Sequence, residues 1–171
     1  VTGAELQRSG LLALALSLSA CKSDTRREHE KLIPALEPSV KILCGAFLNT
    51  EGGGCQRDCQ TRLAAQAGHA AWRGSERLAV LGPFADPATE ALLVPIRERA
   101  RELRSSLGGA CTAPVTDDAP VTPDVERCAE SKRAASGTLH ALRTALDALA
   151  RTAKDRVGAE LPSIATSCRE D

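Results

Sequence analysis

Apolar and polar positions change their spacing several times along the chain. Leu11 to Ala20 (LLALALSLSA) is a ten-residue apolar run with two serines near its end, about half the length that a membrane-spanning helix needs. Residues 22 to 31 (KSDTRREHEK) are polar throughout and form an expected tether into the first helix. From there Leu32, Leu36, Val40, Leu43 and Phe47 recur in steps of three and four, the stripe of an amphipathic helix. Pro34 and Pro38 fall inside it, and because each removes a backbone donor, the helix should kink or begin at one of them. Asn49 to Gly54 (NTEGGG) closes this segment as a turn.

A second helix is expected from Cys55 to Leu81, with Cys59, Leu63, Ala67, Ala70, Leu78 and Leu81 broadly on one side and Gly74 as a weak point. Gly82-Pro83 stops it. Asp86 then supplies an N-cap and Pro87 a first helical residue, starting a third helix with its stripe at Leu92, Ile96, Ala100, Leu103 and Leu107. Pro95 should bend this helix, and Gly108-Gly109 should end it. After a loop from Gly108 to Val121, Thr122-Pro123 repeats the cap-plus-proline signal. Val125, Cys128, Ala135, Leu139, Leu142, Leu146, Leu149, Ala153 and Val157 then trace the longest stripe in the chain. Lys132 breaks its phase and Gly137 weakens its middle, so a bend is expected there, and Gly158 and Pro162 close it before a short tail. No alternating run argues for a sheet. Four amphipathic segments joined by turns predict an all-α, up-down-up-down four-helix bundle with kinked helices.

Cysteine usage adds a compartment. There are seven cysteines in 171 residues, a density that fits an oxidising environment better than a reduced one. Cys21 stands apart from the others, directly after the apolar run, and its removal leaves six: Cys44, Cys55, Cys59, Cys111, Cys128 and Cys168. In an up-down bundle Cys44 and Cys59 flank the Gly-rich turn almost symmetrically, which predicts that they pair. Cys111 and Cys128 make a second expected bridge, leaving Cys55 and Cys168 by elimination, a pairing that requires the tail to fold back.

Leu18-Ser19-Ala20-Cys21, at the end of the apolar run that follows Arg8, resembles the lipobox of bacterial lipoprotein precursors. The resemblance implies a signal peptide over residues 1–20, a lipidated cysteine and polar tether over 21–31, and a helical domain over 32–171. Family chemistry implies that the Cys21 thiol takes diacylglycerol as a thioether and its freed amine another acyl chain, palmitate among the candidates. Two or three chains, at ~0.8 kcal/mol per buried methylene, hold a protein to a bilayer essentially permanently. Lys22, where a sorting Asp would retain the protein at the inner membrane, implies the outer membrane of the bacterial envelope instead.

The remaining chemistry is sparse. With 22 basic and 22 acidic residues, the chain has no long-range field to gather phosphates, so a nucleic-acid partner is not expected. Phe47, Trp72 and Phe84 are its aromatics, too few for a base-stacking platform. Cys55-Gln56-Arg57-Asp58-Cys59 is neither CxxC nor CxxCH, and two thiols one helical turn apart are better placed to reach separate partners than each other. His29, His69 and His140 stand on separate segments and read as exposed or capping residues. The Arg/Glu run from Arg97 to Arg104 reads as a solvated, ion-paired face, and Trp72 as a packing residue or a partner anchor. No GxSxG, HExxH or phosphate-loop pattern nominates a catalytic residue, and no cofactor is called for. A cell-wall hydrolase would need an acidic cleft that the sequence does not advertise. The function expected is therefore a non-catalytic envelope lipoprotein, tied to the bilayer through acylated Cys21, whose helical domain binds or scaffolds another envelope protein. The alternative is a metal-binding or thiol-redox lipoprotein using the cysteine cluster.

Overall fold

The computed structural model describes residues 24–48 and 56–168. The expected signal peptide, Cys21, the Gly-rich turn and Cys55 lie outside these residues. Within them the protein is all-helical. Residues 24–30 are helical (α1), followed by α2 (Ile33–Leu48), α3 (Arg57–Leu78), α4 (Pro87–Leu107), α5 (Pro123–Ala134), α6 (Ser136–Val157) and α7 (Ile164–Ser167).

The start signals read from sequence operate as hydrogen bonds. Asp86 accepts the Thr89 amide with Pro87 opening α4, and Thr122 accepts the Val125 amide with Pro123 opening α5. The core stripe of α4 is Leu93, Ile96, Ala100, Leu103 and Leu107, with Leu92 only half-buried, and the helix continues through Pro95 without interruption.

The long final helix expected from sequence is two helices. The break falls at Ala135 (φ −83°, ψ 4°), two residues before Gly137. Between Cys128 and Leu139 the chain offers only alanine as an apolar side chain, so no large group holds a single stripe in register. The break lets α5 pack Cys128 and Ala129 against α3, while Leu139, Leu142, Leu146, Leu149 and Ala153 carry α6 along α4. Thr138 donates to Glu102 at 2.8 Å and fixes the start of α6 to α4.

α3 contacts α2, α4 and α5, and its buried face is made of small residues: Ala65, Ala67, Gly68, Ala71, Gly74 and Ser75, with Leu78 at the end. Gly74 is therefore a notch, not the weak point its propensity suggested. A Cβ there would lie 2.6 Å from Leu43 Cγ and 3.1 Å from the Leu43 backbone nitrogen. At Gly68 it would lie 2.8 Å from Cys111 Sγ and 2.9 Å from Cys128 Sγ, so that disulfide rests directly on the α3 backbone. The apolar wall around the seam, with Leu36, Leu43, Leu78, Leu93, Leu103 and Leu146 at no more than 1% exposure, stabilises the fold by roughly 1.5–3 kcal/mol for each side chain.

α6 ends at Gly158, whose φ of 70° is favourable only for glycine. The chain then turns back, burying Ala159, Leu161 and Ile164, and Ser163 forms a capping box with Thr166 at the start of α7. α7 contacts both α2 and α6.

The notch at α3 generates a paired expectation. Gly74→Ala should lower stability by roughly 1–3 kcal/mol by forcing α2 away from α3. Gly137→Ala, at an exposed helical position with nothing within 4 Å of the new Cβ, should be neutral or stabilising by a few tenths, up to about 1 kcal/mol. Chemical denaturation of both variants checks the pair; equal effects would mean that the notch is not tight.

Candidate functional site

The disulfides decide which surfaces are rigid. Cys111 and Cys128 are bonded (S–S 2.06 Å), matching the sequence expectation and fixing the α4–α5 loop to α5. Cys44, however, is bonded to Cys168 (S–S 2.07 Å), not to Cys59. The register of α2 on α3 explains the correction. A Cβ on Gly45 would meet Ala70 at 3.3 Å, and Cys59 lies eleven residues before Ala70 on α3, roughly 16 Å further along the axis at 1.5 Å per residue. Symmetry about the turn was the wrong guide. Cys168 in turn is not left for Cys55, because the αL cap at Gly158 returns the tail to α2. Cys59 is disulfide-bonded as well. Taken singly, the chain-entropy stabilisation for the observed sequence separations of 17 and 124 is about 3 and about 5 kcal/mol.

The Cys44–Cys168 bond holds α7 in the space between α2 and α6 and so shapes a groove of about 670 Å³. Its apolar floor includes Ile33, Ala150, Leu161 and Pro162, and its rim carries Glu37, Lys41, Asp147, Arg151, Lys154 and Glu160. Lys41 pairs with Glu37 at 2.8 Å and Lys154 with Glu160 at 3.3 Å. Asp147 accepts the Ala165 amide at 3.2 Å, which ties the first turn of α7 to α6, and Arg143 lies 5.5 Å over the Phe47 ring on the neighbouring edge. The groove thus presents an apolar strip bounded by both signs of charge, a surface suited to an amphipathic segment rather than to a small anion.

A second polar arrangement links α1 to α4. Residues 24–30, within the stretch read as a tether, are helical, and His29 is only 2% exposed rather than surface-lying. Its Nδ1 contacts the Thr25 carbonyl and its Nε2 the Thr89 hydroxyl, both at 2.7 Å, with the Phe84 ring edge-on at 5.1 Å. The Thr89 hydroxyl donates to Asp86 at 2.6 Å, and Arg156 donates to the same carboxylate at 3.0 Å. Hydrogen bonds from the Thr89 side chain, then Arg156, hold the Asp86 carboxyl to about 2, from 3.8. Although Asp, Thr and His are in contact, this is not the geometry of an activated nucleophile. The hydroxyl gives its hydrogen to the carboxylate instead of to a base, and Thr89 is 2% exposed. Sequence reasoning missed this node, although His29 extends the Leu32, Leu36 and Val40 stripe backwards by one step.

The other candidates fall into structural places. His69 contacts the Cys111 carbonyl at 2.9 Å, His140 is exposed, and half-buried Trp72 stacks under Arg104 at 5.9 Å. Arg97 and Arg101 are not simply solvated. Arg97 pairs with Glu90 and donates to the Gly82 carbonyl, and Arg101 donates to the Ala79 carbonyl, so both fasten the α3–α4 connection. Arg97 and the Phe84 amide lower the Glu90 carboxyl from its ordinary value. Gln66 and Arg62 on α3 similarly hold the following long loop at Asp117 and Ala119. Among the described residues no three His, Cys, Asp or Glu side chains group as metal ligands, and no helix is long and apolar enough to cross a membrane. No protein-family model, curated protein or solved structure matches the chain.

Two outcomes follow from this geometry. Graded reductant with alkylation and peptide mapping should open Cys44–Cys168, whose Cys168 is half-buried and whose Cys44 is 9% exposed, before Cys111–Cys128, at 0% and 2%. The reverse order would place α7 away from the surface. Asp86→Asn should lower thermal stability at neutral pH. Because the folded carboxyl is depressed, its stabilisation is complete well above pH 3.8 and disappears as pH falls through that value towards 2. The difference between wild type and variant should accordingly vanish at the acid end of a stability-versus-pH series.

Proposed function

We propose that this protein is a non-catalytic envelope lipoprotein, attached to a bilayer through acylated Cys21, whose helical domain binds another envelope protein. The observation that carries the reading is Leu18-Ser19-Ala20-Cys21, whose first three residues close the ten-residue apolar run Leu11 to Ala20. The groove between α2, α6 and α7 supports the binding role, since its apolar floor and mixed-charge rim suit an amphipathic protein segment and a covalent bond keeps it open. Lys22 favours the outer membrane as the destination, and the equal numbers of acidic and basic residues favour a protein partner over nucleic acid. With α5 and α6 counted as one interrupted leg beside α2, α3 and α4, the architecture is an up-down-up-down bundle cross-linked by disulfides.

Cys21→Ser should abolish lipid modification and release the protein from membranes. Intact mass of the mature wild-type protein should show residues 1–20 removed and acyl mass on residue 21. A bare thiol there, or retention of residues 1–20, would overturn the lipoprotein reading. Photo-crosslinkers placed at Lys41 and Arg151 in intact envelopes should capture one protein, with the yield reduced by a bulky substitution at Ala150 on the groove floor. Equal capture from the exposed His140 position would remove the groove from the proposal.

A further inference from the structure

His29, the buried histidine, sits in a chain of contacts with a fixed number of hydrogens. The Thr25 carbonyl, 2.7 Å from Nδ1, has none to give, so Nδ1 donates. Asp86 Oδ2 receives the Thr89 amide at 2.9 Å, the Thr89 hydroxyl at 2.6 Å and Arg156 at 3.0 Å. This carboxyl, held to about 2, is ionised across the range in which histidines titrate. The single hydroxyl hydrogen of Thr89 is thereby committed to Asp86. The remaining contact, His29 Nε2 to Thr89 Oγ1 at 2.7 Å, then needs its hydrogen from the ring. Only the imidazolium, with a hydrogen on each nitrogen, fills every contact. A neutral ring leaves Thr89 one hydrogen for two acceptors, and a lone pair faces a lone pair across whichever contact goes without.

We propose that His29 is a proton-operated latch: doubly protonated, it fastens α1 to the first turn of α4, and loss of one ring proton releases α1. The charged groups around it are consistent with a cation in this place. On α1, Asp24 and Glu28 line the same cleft as His29, with Lys31 beyond them. From the α4 side come Asp86 and Glu90, the latter paired with Arg97, and from α6 comes Arg156, which is bonded to Asp86. Arg156 and Lys31 oppose the second ring proton; Arg156 is neutralised by Asp86, and Lys31 by Glu28 at 2.5 Å. The cleft of about 750 Å³ between α1 and the residues Pro83 to Pro87 gives the ring and water a route to exchange protons. Docking needs a hydrogen on each ring nitrogen and is lost with either one.

The test uses the full chain. Nitrogen-15 NMR of the His29 ring at pH 5 should show hydrogens on both nitrogens, and at pH 8 on one alone. Hydrogen exchange of the amides over 27–32, corrected for intrinsic rate, should be about tenfold or more faster at pH 8 than at pH 5, in keeping with the loss of a charge-assisted hydrogen bond. Amides in the middle of α4 should keep their protection. Thr89→Val should remove the pH dependence in α1, and Thr89→Ser should retain it. A ring with one hydrogen at pH 5 while α1 stays protected, or equal protection of α1 at both pH values, would overturn the latch. Because the ring spectrum and the exchange profile are read on wild type, the outcome does not depend on Thr89→Val folding.

Discussion

The structure depends on how closely helices can approach α3. This helix is met by α2, α4 and α5, and a chain with so few aromatics cannot fill wide gaps with rings. The solution is a seam of alanine, glycine and serine, against which leucines from neighbouring helices insert. Packing at interior density is then reached by shortening the distance between backbones instead of enlarging side chains. Leu43 over Gly74 and the Cys111–Cys128 disulfide over Gly68 are the two places where the limit is reached. A methyl group at either position has no space that is not already occupied, by Leu43 in the one case and by sulfur in the other.

The rest of the architecture follows from that seam. With α2 set by its register on α3, Cys44 is too far along the axis to meet Cys59, and its thiol is instead available to whatever lies between α2 and α6. Gly158 turns the chain, Ser163 and Thr166 restart it, and the buried Ile164 anchors α7 in that space. The groove that results is bounded by a covalent strap, not by loops. Its shape is consequently less dependent on salt or pH than the ion pairs on its rim.

Local signals in the sequence were sufficient wherever the determining chemistry was local. Asp86-Pro87 and Thr122-Pro123 mark helix starts because cap and donor are three residues apart. Gly158 marks an end because of its own backbone angle, and Cys111 meets Cys128 across a single loop. The bend expected between Lys132 and Gly137 is the break at Ala135, where α3 and α4 take the two halves of one stripe. Three features were not legible. The Cys44–Cys168 bond depends on a helix register set by Gly45 and Gly74, which composition rules read as weak helix formers. His29 was hidden in a run of charges, since its partners Thr89 and Asp86 lie some sixty residues away; only its phase with Leu32 and Leu36 hinted at burial. The groove has no sequence signature because its walls come from both ends of the chain.

The Cys44–Cys168 bridge also determines how the protein carries load. A pull applied between a point before α2 and a point after Cys168 travels through α2 as far as residue 44, crosses the sulfurs and leaves at residue 168. The chain enclosed between these residues, at a sequence separation of 124, lies outside the line of force and cannot be drawn out while the bond persists. Mechanical extension is limited to the segments outside the loop, so α3 to α6 would keep their shape under tension that unravels α1.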